Sequence, residues 1–206
     1  MTGKITTLVI QKKNKERVNL FLDDAFAFGI SLDAALNLKK GQFLSDEEIA
    51  RLKFDDQAGQ AYQKSLNFLS YRARSKQEIK QYLQKKGFGE EAVEEAIERL
   101  ADKGYLNDVE FGQLWVENRN RFNPKGKTAL RYELRAKGLS EADIEEALDG
   151  LDEENLAWQA VQKQLTRWQA LDKLTFKQKL SSHLARRGFS YDIIQTVVVR
   201  AGMDKD

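Results

Sequence analysis

The sequence predicts an all-α repeat array of tandem three-helix units, preceded by a small N-terminal extension with a β-hairpin and short helices. Three observations predict it. A short helix with a marked start and stop recurs three times along the chain, and charge alternates in blocks of the same period. The third is that a single proline among 206 residues leaves long runs free to be helical.

The recurring helix is clearest in residues 71–88. Ser75 followed by Glu78 has the spacing of a capping box, which satisfies free N–H groups at a helix start. Ile79, Tyr82, Leu83 and Lys86 then fall on one face. Gly87 supplies a left-handed residue at the helix end, and Phe88 can fold back on the last turn. The same pattern returns around Gly138 and Gly188, so the glycines are spaced by 51 and 50 residues. The apolar pairs Ile79/Leu83, Leu130/Leu134 and Leu180/Leu184 keep register through all three.

Residues 5–10 and 17–22 are β-branched or alternating and are separated by a polar turn at 12–15, which reads as a hairpin. Phe26 to Ile30 is a candidate third strand. A lone small sheet is marginal in water and must lean on something else. Residues 31–38 and 45–54 read as two helices, the second opened by a capping box from Ser45 to Glu48. The array follows, with helices expected at 58–71, 76–86 and 90–102, then 108–122, 127–137 and 141–150, then 153–170, 176–187 and 191–201. The expected division is therefore 1–57 for the extension and 58–106, 107–151 and 152–206 for three repeats. Asn107, Ser140 and Ser190 are placed as helix caps. Stacked units of this kind bury a continuous core and leave long faces for a partner.

Composition narrows the function. The chain has no cysteine, which excludes a disulfide framework and a thiolate metal site and fits a reducing, cytoplasmic setting. No apolar run approaches the roughly 20 residues that span a bilayer, and the first residues carry no secretory apolar segment, so no membrane role is expected.

The overall charge of +2 hides strong blocks. Residues 58–88 carry +6, 89–110 carry −6, 111–139 carry +5, 140–156 carry −8 and 157–206 carry +5. First and second helices are basic and third helices acidic. Matching of helix dipoles and neutralisation between neighbours accounts for part of this. The rest is a candidate binding surface, because Arg72, Arg74, Lys85, Lys86, Arg119, Arg121, Arg131, Arg135, Lys137, Arg186 and Arg187 recur at corresponding places.

No catalytic constellation is apparent, and neither an enzyme nor a cofactor is expected. Gly126-Lys127-Thr128 ends like a phosphate-binding loop, but Arg121 stands where the motif needs its first glycine. His183 is the only histidine, so a two-histidine metal site is excluded. Its repeat partners are Tyr82 and Glu133, three unrelated side chains at one helix position, which marks a half-buried packing site. The paired carboxylates lie on polar helix faces. Tyr71, Tyr82, Tyr105, Phe111, Trp115, Trp158 and Trp168 could stack on nucleic-acid bases, but their helical spacing places them in the core.

Several ordered stretches carry a resemblance. Tyr-Arg-Ala-Arg-Ser-Lys-Gln-Glu-Ile (71–79), Lys-Lys-Gly-Phe (85–88), Leu-Ala-Asp-Lys-Gly-Tyr-Leu-Asn-Asp (100–108) and Arg-Ala-Lys-Gly-Leu (135–139) resemble the RecX regulatory proteins of bacteria. The resemblance covers residues 58–206, with Asn107 where an aspartate is commoner; the first 57 residues look like the extension of longer members. It implies a monomeric, non-enzymatic modulator of the RecA recombinase. Such a protein lies in the groove of the RecA filament on single-stranded DNA and restrains strand exchange, ATP hydrolysis and filament growth, damping recombination, DNA repair and the SOS response. Whether it also touches single-stranded or duplex DNA directly is left open by the resemblance. The alternative is a stand-alone nucleic-acid-binding repeat protein using the same cations on phosphates.

Overall fold

The structure, a computed structural model, describes residues 2–203. The outermost residues of the first and last expected segments, Met1 and 204–206, lie outside the described residues.

The chain opens with strands β1 (Gly3–Ile10), β2 (Arg17–Leu22) and β3 (Ala25–Ser31), so the expected hairpin and third strand are both present. Asn14 shapes the first turn: its side-chain oxygen accepts from Glu16 N–H at 3.0 Å, while Gln11 N–H donates to the Arg17 carbonyl at 2.9 Å. The second turn is only Asp23-Asp24, both with positive φ (47° and 66°), the backbone twist that a two-residue hairpin demands. Helix α1 (Leu32–Leu36) follows, capped by Ser31. Two residues, β4 (Phe43–Leu44), then pair with the start of β1. The hairpin is thus part of a four-stranded antiparallel sheet in the order β3-β2-β1-β4.

What the sheet leans on is α2 (Asp46–Leu69), opened by the Ser45–Glu48 capping box in both directions. Ile49 packs with Ile5, Leu20 and Leu44. Arg17 on β2 makes a double hydrogen bond to Asp56, at 2.9 Å to each carboxylate oxygen. The two helices expected at 45–54 and 58–71 are therefore one, 24 residues long. Nothing between them breaks a helix: Asp55, Asp56 and Gln57 have no stop geometry, and Gly59 keeps ordinary helical φ.

The array continues with α3 (Lys76–Lys85), α4 (Glu90–Asp102), α5 (Asp108–Phe122), α6 (Lys127–Ala136), α7 (Glu141–Ala147), α8 (Glu153–Trp168), α9 (Lys173–Ala185) and α10 (Tyr191–Met203). The periodicity placed all of them. Only α9 starts earlier than expected, because Asp172 rather than a later residue accepts from Thr175 N–H.

The chain forms two compact units. One holds the residues up to Arg72 with Ile79–Tyr105; the other holds Ala73–Glu78 with the chain from Leu106 on. In the second unit the core runs as two clusters. Phe111, Val116, Leu130, Leu134, Leu139, Ile144, Ala147 and Leu148 make one. Val161, Phe176, Leu180, Leu184, Phe189, Ile194 and Val197 lie in the other. Most of the aromatics expected inside are buried or half-buried. Tyr71 and Tyr105 are corrections, at 83% and 57% exposed. Each lies just past a helix end, α2 for Tyr71 and the left-handed Gly104 after α4 for Tyr105, so neither rides an apolar face.

Candidate interaction surface

The second helices α3, α6 and α9 and the residues that close them carry seven of the eleven candidates, Arg72 and Arg74 preceding α3 and Arg119 and Arg121 lying on α5. The ends of the three helices are built alike. Gly87, Gly138 and Gly188 have φ of 85°, 84° and 79°. After each glycine the next N–H returns to a carbonyl five residues back: Phe88 to Leu83 at 3.3 Å, Leu139 to Leu134 at 3.2 Å and Phe189 to Leu184 at 3.3 Å. This closes the helix and leaves its last carbonyls beside the basic side chains, which favour that end of the dipole.

Their N-termini form joints inside the second unit. Ser75 Oγ accepts from Glu78 N–H at 3.2 Å and donates to the Lys137 carbonyl at 2.7 Å. One repeat later, Gly126 N–H donates to the Arg187 carbonyl at 3.0 Å. The buried Gly126 is thus a joint residue, and the superficial likeness to a phosphate loop ends there. An acid at the start of the next repeat's first helix, α5 or α8, completes each joint. Lys76 N–H donates to Asp108 Oδ1 and Lys127 N–H to Glu153 Oε1, both at 2.8 Å. Burial pushes the Asp108 carboxyl above its ordinary range, against the pull of Lys76.

The eleven candidate cations divide by surroundings. Lys85 is exposed with no partner among the described residues, and Lys86 lies 5.7 Å from the centre of the Tyr82 ring. Arg72 is exposed and Arg74 half-buried in the turn before α3. Arg121 pairs with Glu117 along α5, both well exposed. Arg119 donates to Glu133 at 2.7 Å and stacks over Trp115 at 4.6 Å. Lys137 reaches Glu78 at 2.9 Å and also lies 4.7 Å over Trp115. Arg131 pairs with Glu145, and Arg135 donates two hydrogen bonds to Glu141 at 2.5 and 2.7 Å. The Arg135 guanidinium holds the Glu141 carboxyl below its usual range. Arg186 is exposed, whereas the half-buried Arg187 spans His183, Asn123 and the Pro124 carbonyl.

The structure therefore gathers Arg119 and Lys137 into one hub with Lys125, which sequence reasoning missed, around Trp115 and Glu133. Glu133 accepts from Trp115 Nε1 at 2.8 Å and from Lys125 and Arg119. Burial raises its carboxyl, but these donors prevail and hold it below the ordinary range. The acidic third helix α7 takes up Arg131 and Arg135. Lys137 and Arg187 are turned into the joints. Lys85 and Arg186 are left facing water.

His183 is half-buried, like Tyr82 and Glu133 at its repeat-equivalent positions. Burial lowers its proton affinity first, and the charges of Arg187 and Arg186 add to that, opposed by the Ala160 carbonyl. No cluster able to hold a metal ion occurs among the described residues. No helix among them is long and apolar enough to cross a membrane.

Comparisons with known proteins place this geometry. Four family models match in order: the RecX N-terminal domain at residues 3–45, and the RecX first, second and third three-helix domains at 61–100, 107–148 and 152–198. The chain is 38% identical to the regulatory protein RecX of Bacillus subtilis, over 98% of this chain and 78% of that one. It is 33% identical to that of Listeria welshimeri, over 98% and 77%. Among solved structures it is similar to a crystal structure of regulatory protein RecX, with a TM-score of 0.77 and 28% identity over 95% of this chain and 98% of that one. RecX from Lactobacillus salivarius gives a TM-score of 0.68 at 26% identity, over 72% and 99%.

Proposed function

The chain belongs to the RecX family of regulatory proteins, and from that premise we propose that it binds RecA recombinase filaments on single-stranded DNA. There it restrains strand exchange, ATP hydrolysis and filament growth, and so damps recombination and the SOS response. It does so as a cytoplasmic monomer, by contact and without chemistry of its own.

One observation carries the reading. Each repeat ends its second helix with an exposed cation within three residues of its closing glycine. These are Lys85 and Lys86, then Arg135, which also pairs with Glu141, then Arg186, while Lys137 and Arg187 are turned inward. A series of like contacts at repeat spacing suits a partner that is itself a repeating polymer. Several weak contacts made at once give tight binding by effective concentration alone.

The test is RecA ATP hydrolysis on single-stranded DNA with increasing amounts of this protein. Hydrolysis should fall, and should fall at amounts below one chain per RecA if filament growth is stopped at its end. Hydrolysis unchanged at a several-fold excess would overturn the proposal.

A further inference from the structure

One helix position has three fates in the three repeats. Tyr82 stacks on Phe68, with ring centres 4.1 Å apart and planes 13° from parallel. Glu133 is the acid at the centre of the Trp115 hub and neutralises Arg119 and Lys125. His183 supplies no negative charge, and the cleft beside it stays basic.

That cleft, about 700 Å³, lies between α8 and α9. Gln164, Arg167, Trp168 and Leu171 line it from α8 and the turn that follows, at successive positions of one helical face. Lys179, Ser182, His183 and Arg186 line it from α9 with the same spacing. Two packed helices would ordinarily meet along such stripes through apolar side chains. Here the stripes are cationic and amide-bearing, around an indole. Trp168 and His183 meet edge to face, 5.6 Å apart at 79°.

No acidic side chain lines the cleft. Arg167, Lys179 and Arg186 have no ion-pair partner among the described residues, in contrast to Arg119, Arg131, Arg135 and Lys137. Helix dipoles account for Arg167 and Arg186, which sit at C-termini. They do not account for Lys179, in the middle of α9.

We infer that the α8–α9 cleft is a binding site for single-stranded nucleic acid, with Arg167, Lys179 and Arg186 on the phosphates and Trp168 as the surface against which a base stacks. Stacking and phosphate contact together are how sequence-tolerant single-strand sites work. The amides of Gln164 and Gln178 and the Ser182 hydroxyl offer donors and acceptors to base edges. An acidic peptide would use the cations but leave the indole and amides without a role. This site adds a direct contact to the proposed regulatory role and does not depend on it. A single cleft binds a free strand more weakly than a whole filament is bound.

The experiment is a fluorescence-anisotropy titration of labelled oligothymidylate, about 20 nucleotides long, without recombinase. The wild-type protein should bind it. Lys179→Glu with Arg186→Glu should weaken binding about tenfold or more and flatten the log–log salt slope by about 1.4, two phosphate contacts being lost. His183→Glu, which installs the acid of the second repeat, should also weaken it, whereas Lys13→Glu in the turn between β1 and β2 should not. An abasic strand of equal length should bind less well. Circular dichroism controls for folding, and the Lys179 and Arg186 changes lie on exposed positions. Absence of wild-type binding overturns the inference, as does unchanged binding in the Lys179/Arg186 variant. Equal competition by polyglutamate assigns the cleft to acidic protein and overturns it too. If the variant loses free-strand binding yet still restrains RecA, the cleft stands apart from the filament contact. If the wild type binds the strand but never restrains RecA, only the proposed function falls.

Discussion

The Ser75 hydroxyl lies 2.7 Å from the carbonyl oxygen of Lys137, 62 residues further along the chain. The Ser75 hydroxyl oxygen itself accepts the Glu78 N–H, so one small side chain both caps α3 and holds the end of α6. Ser75 is completely buried. Ser75→Ala removes the cap and leaves a carbonyl of the joint without its partner. The expected loss is about 1–3 kcal/mol, read from the urea unfolding midpoint. A midpoint equal to wild type would contradict the joint.

The three repeat glycines should not be equally sensitive. All have left-handed backbone, which costs a residue with a Cβ roughly 1–2 kcal/mol. At Gly87 an added Cβ meets nothing else. At Gly138 it would collide with the Gln77 side chain, and at Gly188 with the backbone of Ala129. Alanine at Gly87 should therefore cost least and at Gly188 most, with Gly138 between unless Gln77 can move. Thermal melts of the three variants give the order. Equal melting temperatures would mean that the backbone conformation alone matters.

Stability should fall towards acid in two separable steps. His183 is held below its ordinary value of 6.5, by burial first and then by Arg187 and Arg186. The unfolded chain takes up that proton first, so the contribution is present above the unfolded value and lost as pH falls towards the folded one. Glu133, also depressed, keeps its contribution above the ordinary 4.5 and loses it as pH falls further. His183→Gln should remove the upper step, and Glu133→Gln should reduce the lower, to which the depressed Glu141 and Asp172 also contribute. A pH–stability profile of His183→Gln that superimposes on wild type between about pH 7 and 5 would refute the first assignment.

Charge reversal should separate joint cations from surface ones. Lys137→Glu turns a second negative charge on Glu78, whose side chain is 16% exposed, and should lower the melting temperature clearly. Lys85→Glu breaks no ion pair and should leave the melt within about 0.5 kcal/mol of wild type. Binding should show the opposite sensitivity, with Lys85→Glu weakening filament association at low salt more than at high salt. A destabilised Lys85→Glu would show that this cation, too, is structural.

Helices and caps were legible in the sequence because their signals are local. Ser45 with Glu48, Asn107, Ser140 and the three glycines each act within a turn of their own helix. The continuity of α2 was hidden because Asp55-Asp56-Gln57 is polar, and polarity imitates a linker where no breaker is present. The two residues of β4 are too few to show alternation. The joints were not legible, since Asp108 and Glu153 look like ordinary acids at a helix start, and their partners are 32 and 26 residues away. For the same reason the cations could be counted but not sorted. Arg135 and Lys137 are two residues apart, yet one faces Glu141 in water and the other fills a joint. The half-buried character of Tyr82, Glu133 and His183 followed from their unlike chemistry at one register position. The surroundings of each come from other helices.

The central claim, that this RecX-family chain acts on a RecA filament, is tested most directly by comparing three binding isotherms under one buffer. The partners are a RecA filament on single-stranded DNA, the same DNA without RecA, and RecA without DNA. The account predicts clearly tighter binding to the filament than to either component, because only the polymer presents repeated contacts to repeated cations. Equal affinity for the filament and for bare DNA would contradict it and make the protein a nucleic-acid-binding array.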